Sequence, residues 1–226
     1  MLDKKYRECF IVPEGHKLVG VDAAALELRL LAHYMNEPEY IREVLEGDIH
    51  TTNQNAFQCE TRAQAKMIFY AMAYGAGGSK LGEAIGGGAR EGKKLRDNFL
   101  RNLPAYSELL TRVQRLSTKG TLPGLDGRRI HVRSEHSALN TLLQSAGAIV
   151  MKKALVIAAA KLDAYGYPYK LVAQVHDEFC VEVPEEYAER VALCFRNAIR
   201  QSGRDFNLRC PMEGDYLIGD NWSETH

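Results

Sequence analysis

"AQVHDEFCVEV", Ala173 to Val183, is the stretch on which the reading of this chain turns. Valine, phenylalanine and cysteine give it the composition of a buried strand, yet His176, Asp177 and Glu178 stand in its middle. Burying an unpaired charge is costly, so acids in such a run need a turn, a partner or a metal. A tight turn is one explanation, since acidic residues suit turns and two strands can meet there. A functional acid is the other, and the two are compatible because a turn presents its side chains. Working outward, "YKLVAQV" and "EFCVEV" read as strands paired across His176-Asp177. "HKLVGVDAA", from His16, reads as a third short strand ending at Asp22. The acid-bearing strand ends are far apart in sequence but can be neighbours in one sheet.

A chain of 226 residues with 46% hydrophobic content predicts one domain or two closely packed ones. No run of eighteen apolar residues occurs, so no membrane span is expected. "MLDKKYRECF" lacks the apolar stretch of a signal peptide. Five scattered cysteines suggest reduced thiols in a cytosol-like compartment, and with no CxxC pair a structural zinc is not expected. Lys plus Arg and Asp plus Glu number 29 each, so global charge predicts no nucleic-acid partner. A local basic surface would still serve one.

Between the first strand and the strand pair the pattern is mostly helical. "LELRLLAHYM", Pro38–Glu46, His50–Gln58, Thr61–Tyr74, Arg90–Arg101 and Pro104–Lys119 read as helices. Thr61 suits the cap of its helix, Gly75 its end, and Pro104 a first turn. "TLPGLDGRRIHV" predicts a hairpin about Asp126-Gly127. Ser137–Tyr165 reads as one long helix and Glu185–Gln201 as the last.

Two constellations carry chemistry. Asp22 ends a strand and precedes three alanines, which let a ligand approach the backbone closely. With the Ala23 carbonyl and Asp177 it suits Mg²⁺, which takes few carboxylates and completes its shell with substrate phosphates. Two such ions about 3.5–4 Å apart clamp the attacking and leaving oxygens of an in-line displacement. Alternatively, Asp22 merely caps the following helix. In "TRAQAKMIFYAMAYGAG", Arg62, Lys66, Tyr70 and Tyr74 recur every fourth residue and form one slowly winding helical stripe. It begins cationic and ends aromatic, the polarity of a nucleoside triphosphate. Alternatively, it is an amphipathic helix with solvated cations and a tyrosine core.

"VDAAALELRLLAH", "TRAQAKMIFYAMAYGAG" and "QVHDEF", in this order, resemble motifs A, B and C of family A DNA polymerases, the DNA polymerase I family. The likeness is strongest to the replicative branch of short-tailed bacteriophages. It extends to "GDIHTTNQ", "GLDGRRIHVRSEHSALNTLLQSAGA" and "GDNW", from about Arg7 to the C-terminus. It implies an α/β (α+β) fold: a right-hand palm with an antiparallel sheet plus helical fingers, without thumb or exonuclease domain. Residues 1–36 and 122–226 would be palm and 37–121 fingers, with 61–75 as the motif B helix.

The resemblance also implies roles. Asp22 and Asp177 match the metal-binding aspartates, with Glu178 and Lys66 beside them in catalysis and the Ala23 carbonyl as a further ligand. Glu27 matches the steric gate against a ribose 2′-hydroxyl, and Arg29 the arginine supporting it. His50, Arg62, Lys66, Tyr70 and Tyr74 match the nucleotide-binding face, and Tyr70 in place of phenylalanine implies tolerance of dideoxynucleotides. Asn140 and Gln144 match minor-groove contacts, which test pairing without reading sequence. His176 matches a residue near the primer end. His136 stands where cellular members often carry arginine.

The implied reaction is dNTP addition to a primer 3′-hydroxyl with two Mg²⁺ ions, or Mn²⁺ in their place. The implied partners are primer–template DNA, dNTPs, a second polypeptide carrying thumb and exonuclease, and a processivity factor. No membrane is expected, and the location is cytoplasmic, in a host cell if the chain is phage-encoded. A split-polymerase subunit is favoured over a compact enzyme, a fragment, a non-catalytic DNA-binding scaffold, or an enzyme of the single-subunit RNA polymerase kind. "GAGGSK" lacks phosphate-loop spacing and reads as a connector. "EGKKLRDNFLRN" reads as a solvated face or a DNA phosphate track, and Cys180 and Cys194 as core thiols.

Overall fold

A computed structural model describes residues 4–225. The chain forms two compact units, Met1–Leu26 with Gly147–His226, and Glu27–Ala146.

The first unit is built on a four-stranded antiparallel sheet in the order β4-β5-β1-β6. Its strands are β1 (His16–Ala23), β4 (Lys170–Val175), β5 (Glu178–Pro184) and β6 (Gly214–Gly219). Because side chains alternate along a strand, Val19, Val21 and Ala23 share one face with Phe179, Val181 and Val183, and all six are buried. Helix α10 (Ala188–Asp205) packs on β1 and β6. It repeats Val191, Ala192, Phe195, Ala198 and Ile199 at helical spacing as its buried face. Phe179 and Phe195 meet at 5.2 Å, and each such side chain contributes about 1.5–3 kcal/mol by leaving water. A 3₁₀ turn, Glu185–Tyr187, precedes α10, so this helix starts and ends later than the expected Glu185–Gln201. The short helix α1 (Lys4–Arg7) lies upstream of β1. The Arg7 guanidinium lies 5.0 Å over the Trp222 ring, and Thr225 lies against Gly20 of β1.

Two features of the sheet depart from expectation. Strand β4 is not buried: Leu171, Val172 and Val175 are exposed, because β4 is an edge strand with β5 as its one neighbour. Strand β6 occupies "GDYLIG", where no strand was expected, and pairs with β1 on the side opposite β5.

The second unit holds α2 (Leu26–Met35), from Glu27 onward, and helices α3 (Pro38–Glu46), α4 (Ile49–Phe57) and α5 (Arg62–Ala73). They are followed by α6 (Gly78–Glu83), α7 (Ala89–Asn102), α8 (Pro104–Ser117) and the hairpin β2 (Thr121–Pro123)–β3 (Arg129–His131). Its core is aromatic: Phe57 stacks on Phe99 at 4.2 Å, and Phe69 and Tyr106 meet Phe99 edge-on. The expected connector "GAGGSK" contains the start of α6, which packs closely on α7; a Cβ on Gly92 would collide with the Gly78 carbonyl. Helix α9 (Ala138–Tyr165) follows a 3₁₀ turn and belongs to this unit through Ala146 and to the first from Gly147. The stretch Glu135–Tyr165 is long and apolar enough to cross a membrane by length and composition, but half of its apolar window is buried within the protein.

The packing boundaries fall at 26/27 and 146/147. Hydrogen bonds also join elements within the second unit. Arg112 of α8 donates to the Tyr34 carbonyl of α2 at 3.0 Å, and Glu27 of α2 accepts from Tyr74 and from Gln144 of α9.

Candidate active site

In the first unit, β1 and β5 run antiparallel with Asp22 opposite Glu178. The Ala23 amide donates to the Asp177 carbonyl at 3.0 Å. The two acid-bearing strand ends are therefore neighbours. His176 and Asp177 form the two-residue turn between β4 and β5, and His176 has φ +55°, a left-handed conformation uncommon outside glycine. Glu178 is buried, and its Oε1 accepts from the Cys180 thiol at 3.2 Å. Burial, reinforced by Glu178, pushes that thiol up to about 12.

On the other side of Asp22 the register places Asp215 of β6. This fourth acid was missed in the sequence because β6 was. Asp22 as a residue is exposed, yet protein packed around its carboxyl withdraws water, and Asp177, Glu178 and Asp215 repel its charge. Together they raise the carboxyl to about 7. Among the described residues no lysine or arginine forms an ion pair with Asp22, Asp177 or Asp215. Nor do three or more His, Cys, Asp or Glu form a ready metal-ligand group among them. Crowded carboxylates of this kind fit a cation that takes few protein ligands and shares the rest with phosphate and water.

In the second unit, helix α5 begins with a capping box. Thr61 Oγ1 accepts from the Gln64 amide at 3.2 Å, and Gln64 Oε1 accepts from the Thr61 amide at 3.1 Å. Ala65, Ile68, Phe69, Met72 and Ala73 face inward. Arg62, Lys66 and Tyr74 are exposed and Tyr70 half-buried, so the stripe faces outward, against a tyrosine core. The Tyr74 hydroxyl donates to Glu27 at 3.0 and 3.2 Å, and Gln144 Nε2 donates to the same carboxylate. The helix ends at Gly75, whose φ is +81°. A Cβ there would come within 2.5 Å of the His136 carbonyl, so this junction demands glycine twice over.

His50, on α4, lies 6.5 Å from the Tyr70 ring. Burial, then the Arg62 and Lys66 charges, lower its proton affinity. Arg62 Nε donates to Asp48 at 2.7 Å. Asp48 was also missed, although an aspartate three residues before Thr51 at a helix start is a readable cap signal. Arg29 and Asn140 are half-buried, and His136 is exposed. The first unit thus brings together Asp22, Ala23, His176, Asp177 and Glu178. The second brings together Glu27, Tyr74 and Gln144 at one place, and His50, Arg62, Lys66 and Tyr70 at another.

Comparison with known proteins matches residues 2–224 to the model of DNA polymerase family A. The DNA-directed DNA polymerases of Enterobacteria phage T3 and Escherichia phage T7 are each 39% identical over 92% of this chain and 33% of their own length. DNA polymerase I of Aquifex aeolicus is 29% identical over 99% of this chain and 42% of its own. The chain thus spans about a third of the length of the phage relatives. In three dimensions, the POL domain of Pol1 from M. smegmatis, solved with DNA primer-template and dNTP, superposes with a TM-score of 0.88 at 24% identity. That match covers 98% of this chain and 43% of the solved one, and it shows the fold. With nearly its whole length matched to one family model, the chain belongs to DNA polymerase family A.

Proposed function

We propose that this chain is the palm-and-fingers core of a template-directed DNA polymerase, adding dNTPs to a primer 3′-hydroxyl. The observation that carries the reading is the register of β1 and β5, which sets Asp22 beside Asp177 and Glu178 at one end of the sheet. Asp22, Asp177 and the Ala23 carbonyl would hold two Mg²⁺ ions, or Mn²⁺ in their place. Bound there, the ions would neutralise charge on the attacking and leaving oxygens. Phosphoryl transfer asks little covalent chemistry of the protein, so the remaining residues position and neutralise.

Arg62 and Lys66 take the triphosphate, Arg62 through its fork and Lys66 as a point charge. His50 adds a nearby donor, and Tyr70 offers a ring face to the nucleotide. Glu27, held by Tyr74 and Gln144, forms a fixed wall against a 2′-hydroxyl and favours DNA over RNA synthesis. Arg29 supports that segment. His136, Asn140 and Gln144 follow the primer–template groove, and His176 lies at the primer end. In this reading residues 1–36 and 122–226 act as palm and 37–121 as fingers. A processivity factor assists, and the site of action is the cytoplasm, that of a host cell if a phage encodes the chain.

Primer extension with dNTPs and Mg²⁺ by the chain and its Asp177→Ala variant tests the core proposal. Extension by the first and not the second is expected, alone or after a thumb-bearing gene product is added. Mg²⁺-independent DNA binding with no extension under either condition would replace the enzyme by a scaffold.

A further inference from the structure

Asp48 stands at the start of α4 and reaches across to α5. Its Oδ1 accepts from the His50 and Thr51 amides at 3.1 and 3.4 Å, and its Oδ2 accepts from the Thr51 hydroxyl at 2.9 Å. Three donors from one helix end thus hold the carboxylate in place. Its remaining contact is the 2.7 Å bond from Arg62 Nε. We propose that Asp48 is a positioning residue for triphosphate binding: it tethers the Arg62 guanidinium by Nε and leaves both terminal amino groups for phosphate oxygens. This rests on α5 being the nucleotide-binding helix.

The location argues against a merely structural pair. Both side chains are about half exposed, at 55% for Arg62 and 45% for Asp48, and an exposed pair contributes little to folding. Its effect falls instead on conformation. A free arginine samples many rotamers and must lose that freedom on binding, whereas a tethered one has already lost part of it. The planar fork makes this useful, since a guanidinium fixed at Nε keeps a defined plane for two phosphate contacts. The neighbours fit the same ligand. Lys66 lies one turn further along α5, and the His50 imidazole is close enough to feel both cations.

The test is binding of inorganic tripolyphosphate and of dATP to the whole chain by calorimetry. Asp48→Ser keeps a good helix cap but cannot reach Arg62, and Asp48→Asn keeps the cap and a neutral acceptor. Asp48→Ser is expected to weaken both ligands about three- to tenfold, the scale of ordering one long side chain. The melting temperature should be nearly unchanged. Asp48→Asn should lose less. In an Arg62→Ala background, itself weakened, Asp48→Ser should cost nothing more, because the tether has nothing left to hold. Unchanged or tighter binding by Asp48→Ser would overturn the proposal, making the carboxylate a bystander or a competitor for Arg62. Additive losses in the double variant would overturn it as well. Full binding by Arg62→Ala alone would refute the nucleotide-binding reading of α5 and the proposal with it, an outcome distinct from a failure at Asp48 only.

Discussion

The two units treat their functional charges in opposite ways. In the first, Asp22, Asp177, Glu178 and Asp215 converge on one end of a sheet, and Asp22 is raised to about 7 by burial and by its acidic neighbours. In the second, the charges are held by hydrogen bonds: Glu27 by Tyr74 and Gln144, Arg62 by Asp48. Unrelieved repulsion costs stability and is tolerated where something else will neutralise it. Satisfied hydrogen bonds fix side chains before a ligand arrives. On the proposed reading, the first unit receives cations and the second an organic anion in one orientation.

Removing an acid from the first unit should break this contrast most visibly. Asp177→Ala is expected to lower primer extension about a thousandfold, equivalent to ~4 kcal/mol of transition-state stabilisation. Its resistance to urea should be equal to or above that of the parent, because a repelling charge has gone. A variant that unfolds more readily and extends at near-parent rates when folded would contradict the assignment. Glu27→Ala probes the second unit, where the expected effect is on selection. The ratio of kcat/KM for dNTP over rNTP should fall about ten- to a hundredfold, or ~1.4–2.7 kcal/mol. Equal rejection of rNTPs by parent and variant would remove the gate.

A third expectation turns the repulsion into a pH effect. With its folded pKa raised, Asp22 binds more protons folded than unfolded between about pH 4 and 7. In the absence of divalent cations, stability should therefore fall as pH rises through that window. Solvent screening at this exposed residue limits the loss to about 1–2 kcal/mol. Asp22→Asn should flatten the profile, and Mg²⁺ should stabilise the parent at pH 8 more than the variant. Parallel urea midpoints for both proteins across the range, with and without Mg²⁺, would show that the acids do not repel enough to matter.

How much of this was legible in the sequence divides along the same line. Motif-bearing elements were readable because each carries local chemistry: Thr61 at the start of α5, Gly75 at its end, His176-Asp177 between two apolar runs. What depends on strand order was not. "KLVAQV" has the composition of an interior strand, and nothing local says that it lies at the sheet edge with Val172 exposed. "GDYLIG" is short and glycine-bounded, and becomes a strand only because β1 has a free edge to offer; with it Asp215 stayed hidden. The Asp48–Arg62 bond likewise joins two helices whose separate patterns give no hint of contact.

The smallest expected effect concerns two of the left-handed junctions. Helix α5 ends on Gly75, at φ +81°, where glycine adopts the conformation freely. The β4–β5 turn has His176 at φ +55°, so it carries backbone strain next to the acids that α5 does not carry at its own end. Strain of this kind costs on the order of 1–3 kcal/mol. His176→Gly would relieve it but lose about 0.5–1 kcal/mol to unfolded-state entropy. His176→Ala removes the imidazole without relief. The glycine variant should therefore exceed the alanine variant in urea stability by about 1 kcal/mol, while both lose the imidazole proposed to lie at the primer end and are expected to extend primers equally poorly. If the alanine variant is as stable as the glycine variant, the turn holds no strain. If only glycine impairs extension, the strained backbone, rather than the imidazole, is what keeps Asp177 in position.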